Sequence, residues 1–214
     1  MEQIKVKKQP TVKKRKKRRP LSPQEAYQRR LLIEKRRRKR MLKEGLTAFV
    51  LGSVLIFITL YFFLAFPKMD GYSMTPSLYD GERLVVVKHA KLIRFRLIAF
   101  RDEGTNMIKI RRLIGLPSEK INYHGDVLMV NDKERTESFI KSALSDYGSG
   151  GMQFTEDFSS ESLSGSETIP KDEYLVMGDN RPYSTDSRYF GLIKRKQIIG
   201  VAYYKLDKLE PLIE

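Results

Sequence analysis

Residues 71–78, Gly-Tyr-Ser-Met-Thr-Pro-Ser-Leu, hold Ser73 between a glycine and a proline. Glycine permits a tight turn and proline stiffens the exit, so the Ser73 hydroxyl can stand on a rigid loop. Such a hydroxyl is a nucleophile only where a neighbouring group takes its proton. Two other stretches offer polar partners. Residues 109–121 read KIRRLIGLPSEKI; as a strand, Lys109, Arg111 and Leu113 share one face and Ile110, Arg112 and Ile114 the other. Residues 178–191 read GDNRPYSTDSRYFG and crowd Asp179, Asn180, Arg181, Ser184, Asp186, Ser187 and Arg188 together. Each stretch also has a plain structural reading: a turn serine, a strand, and a solvated turn held by side-chain to backbone hydrogen bonds.

Other chemistries are excluded or disfavoured by composition. The 214 residues include no cysteine, so there is no disulfide framework and no thiolate metal site. The two histidines, His89 and His124, are too few and too scattered for a zinc site and read as surface or turn residues. No metal or cofactor is expected. The formal charge is +15, but it is localised: residues 1–44 hold 19 of the 41 basic residues and 4 of the 26 acidic ones, leaving 22 of each in the rest. The folded part is therefore neutral, and nucleic acid is not an expected partner.

The elements that must position these groups start with a membrane anchor. Residues 45–66, GLTAFVLGSVLIFITLYFFLAF, carry no charge. As a helix they span about 33 Å, enough to cross a bilayer core. The following LAFPKMDG lacks an A-x-A cleavage pattern, which favours an uncleaved anchor. Residues 35–40, KRRRKR, precede the span and only Lys68 follows closely, so the positive-inside rule places residues 1–44 in the cytoplasm and 67–214 outside. The tail up to about Pro20 is too basic to fold alone. Ser22, Pro23 and Glu25 then form a helix start with a capping box. The basic segment reads as a topology signal resting on anionic lipid.

Beyond the span the pattern is strand-rich: residues 83–90, 96–102, 106–116, 172–180 and 200–206 are β-branched or large apolar runs. Residues 120–134 hold two turn signals, His124-Gly125-Asp126 and Asn131-Asp132, and read as a β-meander. Residues 144–168 are rich in Gly and Ser and read as an inserted loop or small cap.

In order and spacing the three polar stretches resemble bacterial type I signal peptidases. That family has G-x-S-M-x-P-[TS]-L after an anchor, a D-G turn, K-R-x-[IV]-G-L-P, and G-D-N-R-x-x-S-x-D-S-R-x-x-G. The counterparts here are Gly71–Leu78, Asp80-Gly81, Arg112–Pro117 and Gly178–Gly191, the last matching at every fixed position. The resemblance implies a mostly β, antiparallel signal-peptidase-like fold behind one N-terminal transmembrane helix. It implies a membrane-bound Ser/Lys endopeptidase at the bacterial plasma membrane, cutting signal peptides from secreted precursors. By resemblance Ser73 is the nucleophile, Ser184 orients the base, and Asp186, Arg188 and Asp179 hold the site together. Gly71, Met74 and Pro76 border the substrate, and the Ser73 N–H supplies part of an oxyanion hole.

The departure lies at the base. Counting back from Ile114-Gly115-Leu116-Pro117, the catalytic lysine position holds Arg111. Arginine stays protonated and cannot accept a proton, whereas a desolvated lysine can. Lys109 is two residues earlier on the same face, about 7 Å along the strand. Three readings stand: Lys109 acts as base after a register shift or bulge; another lysine approaches; or the site is inactive and the protein binds precursors, assisting surface or pilus assembly. Arg96 and Ser118-Glu119 are further departures, where the family often has Asp and Gly-Asp.

Overall fold

The computed structural model describes residues 22–148, 150–208 and 210–212. The expected basic tail up to Pro20 lies outside them. The chain divides into two units, residues 1–55 and 56–214.

Helix α1 runs from Pro23 to Phe63 without interruption, and none of its residues is buried. Its start is the capping box: the Ser22 N–H donates to Glu25 Oε2 at 2.9 Å, and the Glu25 N–H donates to the Ser22 hydroxyl at 3.3 Å. The charged first half and the apolar second half are one helix, because nothing between Lys43 and Gly45 breaks the pattern. This helix is long and apolar enough to span a membrane. It ends three residues before Phe66, where the chain turns into a short strand.

Among the described residues the body is built from two antiparallel sheets. The larger contains β1 (Leu64–Ala65), β2 (Leu84–Lys88), β3 (Leu97–Arg101), β4 (Ile108–Gly115), β9 (Glu173–Met177), β10 (Ile193–Lys194), β11 (Ile198–Lys205) and β12 (Glu210–Pro211). Its order is β1-β2-β11-β3-β4-β9-β10, with β12 pairing β11. The smaller sheet has β5 (Ile121–His124), β6 (Val127–Val130), β7 (Lys133–Arg135) and β8 (Phe158–Ser159), in the order β7-β6-β5-β8. Both predicted turns of this meander form, and Asp126, Asn131 and Asp132 take positive φ, a conformation Asn and Asp tolerate. The fold is thus mostly antiparallel β behind a long apolar helix.

Strand β4 is buried on both faces from Ile110 onward. Ile110 joins a cluster with Met74, Leu78, Leu97 and Ala202, while Leu113 joins another with Ile98, Phe100, Val176 and Val201. Each face of this strand is therefore fixed by its own apolar layer, and a one-residue slip would exchange the two faces.

The Gly/Ser-rich stretch is more structured than its composition implies. It includes the end of helix α2 (Lys141–Gly148), strand β8 and helix α3 (Ser160–Ser164). Serines build α3 rather than loosening it: Ser159 and Ser162 form a reciprocal capping box, and Gly165 ends the helix in the left-handed region. Phe158 stacks on Tyr123 at 4.9 Å, which fixes β8 against β5.

Candidate active site

The Ser73 loop connects β1 to β2. At its base the Gly71 N–H donates to Asp80 Oδ1 at 2.8 Å, and Gly71 takes a positive φ of 75°. The Thr75 N–H and hydroxyl both donate to the Tyr72 carbonyl, closing a turn around Ser73. The Thr75–Pro76 bond is cis. Leu78 and Met74 have no exposed surface and pack with Met69, Leu84 and Leu97. Met74 therefore anchors the loop from below, and the substrate contact expected of it does not fit a fully buried side chain. Pro76 is exposed and Gly71 half-buried, so both remain at the surface of the loop.

The 178–191 stretch meets this loop. Asn180 donates its N–H to the Ser73 carbonyl at 3.1 Å and its side-chain amide to the Tyr72 carbonyl and the Thr75 hydroxyl. Gly178 packs so closely that a Cβ there would collide with both the Ser184 hydroxyl and the Ser73 carbonyl. The Ser73 carbonyl and the Ser184 hydroxyl thus flank one glycine. The Ser184 Oγ is buried and has no hydrogen-bond partner among the described residues. An unmet buried hydroxyl is costly and rare in a native fold.

Charged pairs lock the turn. Arg112 grips Asp179 with two hydrogen bonds, 2.8 and 2.6 Å, donates to the Phe95 carbonyl, and lies 3.9 Å over the Phe139 ring. Asp186 takes Arg188 on both oxygens at 2.9 Å, accepts the Gly178 N–H at 3.0 Å, and caps helix α4 (Ser187–Phe190). All four side chains are buried or nearly so, where an unpaired charge would be prohibitive.

One cluster escaped the sequence reading. Arg181 is wholly buried and donates to the Gly178 carbonyl, to Glu137, to Tyr123 and to Thr155. It joins the small sheet to the turn beside Ser184. Burial works against the Arg181 guanidinium, but Tyr123, then Glu137 and Asp179, hold it above its ordinary value, and burial pushes the Tyr123 phenol up. Arg181 belongs to the quoted motif, but nothing in the sequence pairs it with Glu137, 44 residues earlier.

The structure places the two candidate bases differently. Arg111 lies opposite Ile98 on β3, and its guanidinium donates to the Thr185 carbonyl at 3.2 and 2.9 Å and to the Ile110 carbonyl at 2.7 Å. Burial pushes it below its ordinary value, while Asp186, Asp102 and Asp179 oppose that. It stays charged at any working pH. Two of its hydrogen bonds go to the residue after Ser184.

Lys109 lies opposite Phe100, on the same face as Arg111. Pairing between β3 and β4 is regular from Leu97–Arg112 to Arg101–Ile108. The bulge that would carry Lys109 into the place of Arg111 is absent, because the register is held by the Asp102–Met107 turn and by apolar layers on both faces. The Lys109 ammonium instead meets Asp102 at 2.8 Å and sits 5.3 Å over the Phe190 ring. The hydrogen bond from Lys109, with another from Thr105, holds the Asp102 carboxyl below its usual range.

The remaining expected residues are peripheral. His89 occupies a positive-φ turn, and the exposed His124 contacts Asp157. Arg96 lies 5.9 Å over the Tyr203 ring, and Glu119 accepts the Leu116 N–H and pairs with Arg94.

The comparisons with known proteins agree with this geometry. The family model described as "Signal peptidase, peptidase S26" matches residues 41–206. Signal peptidase I V of Bacillus subtilis is 41% identical over 138 residues, covering 63% of this chain and 80% of that protein. Signal peptidase I of Streptococcus pneumoniae is 32% identical over 195 residues, covering 78% of this chain and 94% of that protein. A crystal structure of a signal peptidase I from Enterococcus faecalis superposes with a TM-score of 0.50 at 40% identity, covering 52% of this chain and 97% of that one. With the matched region spanning the loop of Ser73, strand β4 and the turn of Ser184, the chain belongs to the signal peptidase family, peptidase S26.

Proposed function

We propose that this protein is a membrane-anchored serine endopeptidase that removes signal peptides from secreted precursors, with Ser73 as nucleophile. The observation that carries the reading is the packing of the Ser73 carbonyl and the Ser184 hydroxyl against Gly178, with the Ser184 hydroxyl buried and without a partner among the described residues. The Ser73 oxygen attacks the scissile carbonyl carbon while its proton passes to an amine. The peptide C–N bond then breaks, the proton goes to the leaving amine, and water hydrolyses the acyl-enzyme. The Ser73 N–H serves the oxyanion. Of Lys109 and Arg111, only the lysine side chain can lose a proton at accessible pH. Lys109 is accordingly the proposed base, and its ammonium must first leave Asp102, from 2.8 Å.

The basic half of α1 is exposed and carries Arg36, Arg37, Arg38, Lys39 and Arg40 directly before the apolar half. It is proposed to lie on the cytoplasmic side against anionic headgroups, with the catalytic body outside.

A second reading, precursor binding with little hydrolysis, is favoured by one observation: Arg111 fills the lysine position with all its hydrogen bonds made to backbone carbonyls. Both readings are separated by incubating the full chain in detergent with a secreted precursor across neutral to alkaline pH. Cleavage at the signal-peptide junction that is lost in Ser73→Ala supports the peptidase. Binding of the precursor without cleavage at any pH supports the second.

A further inference from the structure

The main chain on both sides of Ser73 is held by Asn180. The Asn180 side-chain amide donates to the Tyr72 carbonyl at 3.1 Å and to the Thr75 hydroxyl at 3.0 Å. The Thr75 hydroxyl and N–H donate to the same Tyr72 carbonyl, at 2.9 and 3.2 Å. That oxygen is thus fixed by three donors. The Asn180 N–H meanwhile donates to the Ser73 carbonyl at 3.1 Å, the oxygen that lies tight against Gly178. Both peptide groups that flank the Ser73 Cα are therefore tied to Asn180.

The Tyr72 carbonyl and the Ser73 N–H belong to one peptide group. That group is planar and trans, so its N–H points opposite to its C=O. Fixing the carbonyl toward Asn180 and Thr75 aims the Ser73 N–H away from them. Among the described residues that N–H has no acceptor. A donor aimed in advance stabilises an oxyanion without reorganising as the charge develops.

On the peptidase reading, we propose that Asn180 is a positioning residue for the reaction. With Thr75 it sets the direction of the Ser73 N–H, the oxyanion donor, by gripping the carbonyl at the other end of the same peptide group. An asparagine amide suits this role because its two N–H bonds serve two acceptors, whereas an aspartate would offer none. Asn180 is itself firmly mounted. Its neighbour Asp179 is clasped by Arg112, its neighbour Arg181 by Glu137, and its own carbonyl accepts the Tyr183 N–H at 3.0 Å.

The test compares the full chain in detergent with Asn180→Leu, Thr75→Val and the double variant. Leucine keeps the branched shape of the amide and donates nothing. Cleavage of a secreted precursor gives kcat and KM, and thermal unfolding reports folding. Removing an oxyanion donor outright costs about 10²–10³-fold in kcat. Loosening it by one bond should cost less, about tenfold in Asn180→Leu, and about 10²-fold in the double variant, with KM within about twofold of the parent. Thr75→Val, which removes a single hydroxyl, should lower kcat in the same way and carries the test should Asn180→Leu not fold. NMR supplies a second readout. The chain has two Tyr-Ser pairs, Tyr72-Ser73 and Tyr183-Ser184. Isotope labels at the tyrosine carbonyl and the serine nitrogen therefore give two cross-peaks, and Ser73→Ala identifies the first. In Asn180→Leu the Tyr72-Ser73 peak should move further than the Tyr183-Ser184 peak. An unchanged kcat, a loss confined to KM, or an unmoved Tyr72-Ser73 peak overturns the positioning role while leaving the peptidase reading intact. No cleavage by the folded parent chain overturns both.

Discussion

Replacing Arg111 with lysine is the substitution with the largest expected effect on rate. The guanidinium now makes two hydrogen bonds to the Thr185 carbonyl and one to the Ile110 carbonyl. A lysine at the same site loses the planar fork, so at most part of this set is remade. The loss is expected to cost about 1–3 kcal/mol of stability. For a body of this size that lowers Tm by about 2–4 °C per kcal/mol. In return, the shorter side chain leaves room beside Ser184, whose buried hydroxyl has no partner among the described residues. An amine there can receive the Ser184 hydrogen bond and act as base towards Ser73. A positioned base contributes about 10²–10⁴-fold in rate. The assay is single-turnover cleavage of a purified precursor near neutral pH, with thermal unfolding measured alongside. Arg111→Lys should cleave at least about 10²-fold faster than the parent, and adding Ser184→Ala should remove much of that gain. A folded Arg111→Lys protein that is no faster than the parent would refute this description of the site.

Other perturbations probe separate parts. Lys109→Ala should abolish cleavage, whereas Asp102→Asn should leave it in place; a rate unchanged in Lys109→Ala excludes Lys109 as base. Asp102 also predicts an acid effect. Its carboxyl is held below the usual range by Lys109, so its stabilisation is present above about pH 4 and fades as pH falls through the lower folded-state value. Denaturant unfolding should therefore separate the parent from Asp102→Asn at neutral pH, with the gap closing in acid. Arg112→Ala leaves Asp179 buried and unpaired, and should cost about 3–5 kcal/mol by denaturant unfolding. Gly178→Ala should cost about 1–3 kcal/mol, since its methyl meets both the Ser184 hydroxyl and the Ser73 carbonyl. Its cleavage should also fall far more than its stability.

Much of the fold was visible in local patterns. Apolar strand runs fell within about two residues of β2, β3, β4, β9 and β11, and the turn residues Asp126, Asn131 and Asp132 marked the meander. The Gly/Ser stretch was less legible. Serines can loosen a chain or cap a helix, and the Ser159–Ser162 reciprocity depends on where Phe158 docks. At the site, the family resemblance pointed to Ser73, Ser184, Asp179 and Asp186, the last three of which the 178–191 turn keeps close in sequence. The Arg181–Glu137–Tyr123 cluster was invisible, since its members are joined only by tertiary packing. The fate of Lys109 was also hidden. Face alternation put it beside Arg111, but only the closed turn at Asp102 shows where its ammonium goes. Met74 shows the converse: the resemblance implied a place beside the substrate, whereas its side chain packs in an apolar cluster.

The most direct measurement is cleavage of a secreted precursor by the full chain, compared with Ser73→Ala, from neutral to alkaline pH. The account predicts cutting at the signal-peptide junction that disappears in Ser73→Ala. Cutting that persists at an equal rate in Ser73→Ala, or no cutting at any pH by a folded parent protein, would contradict it.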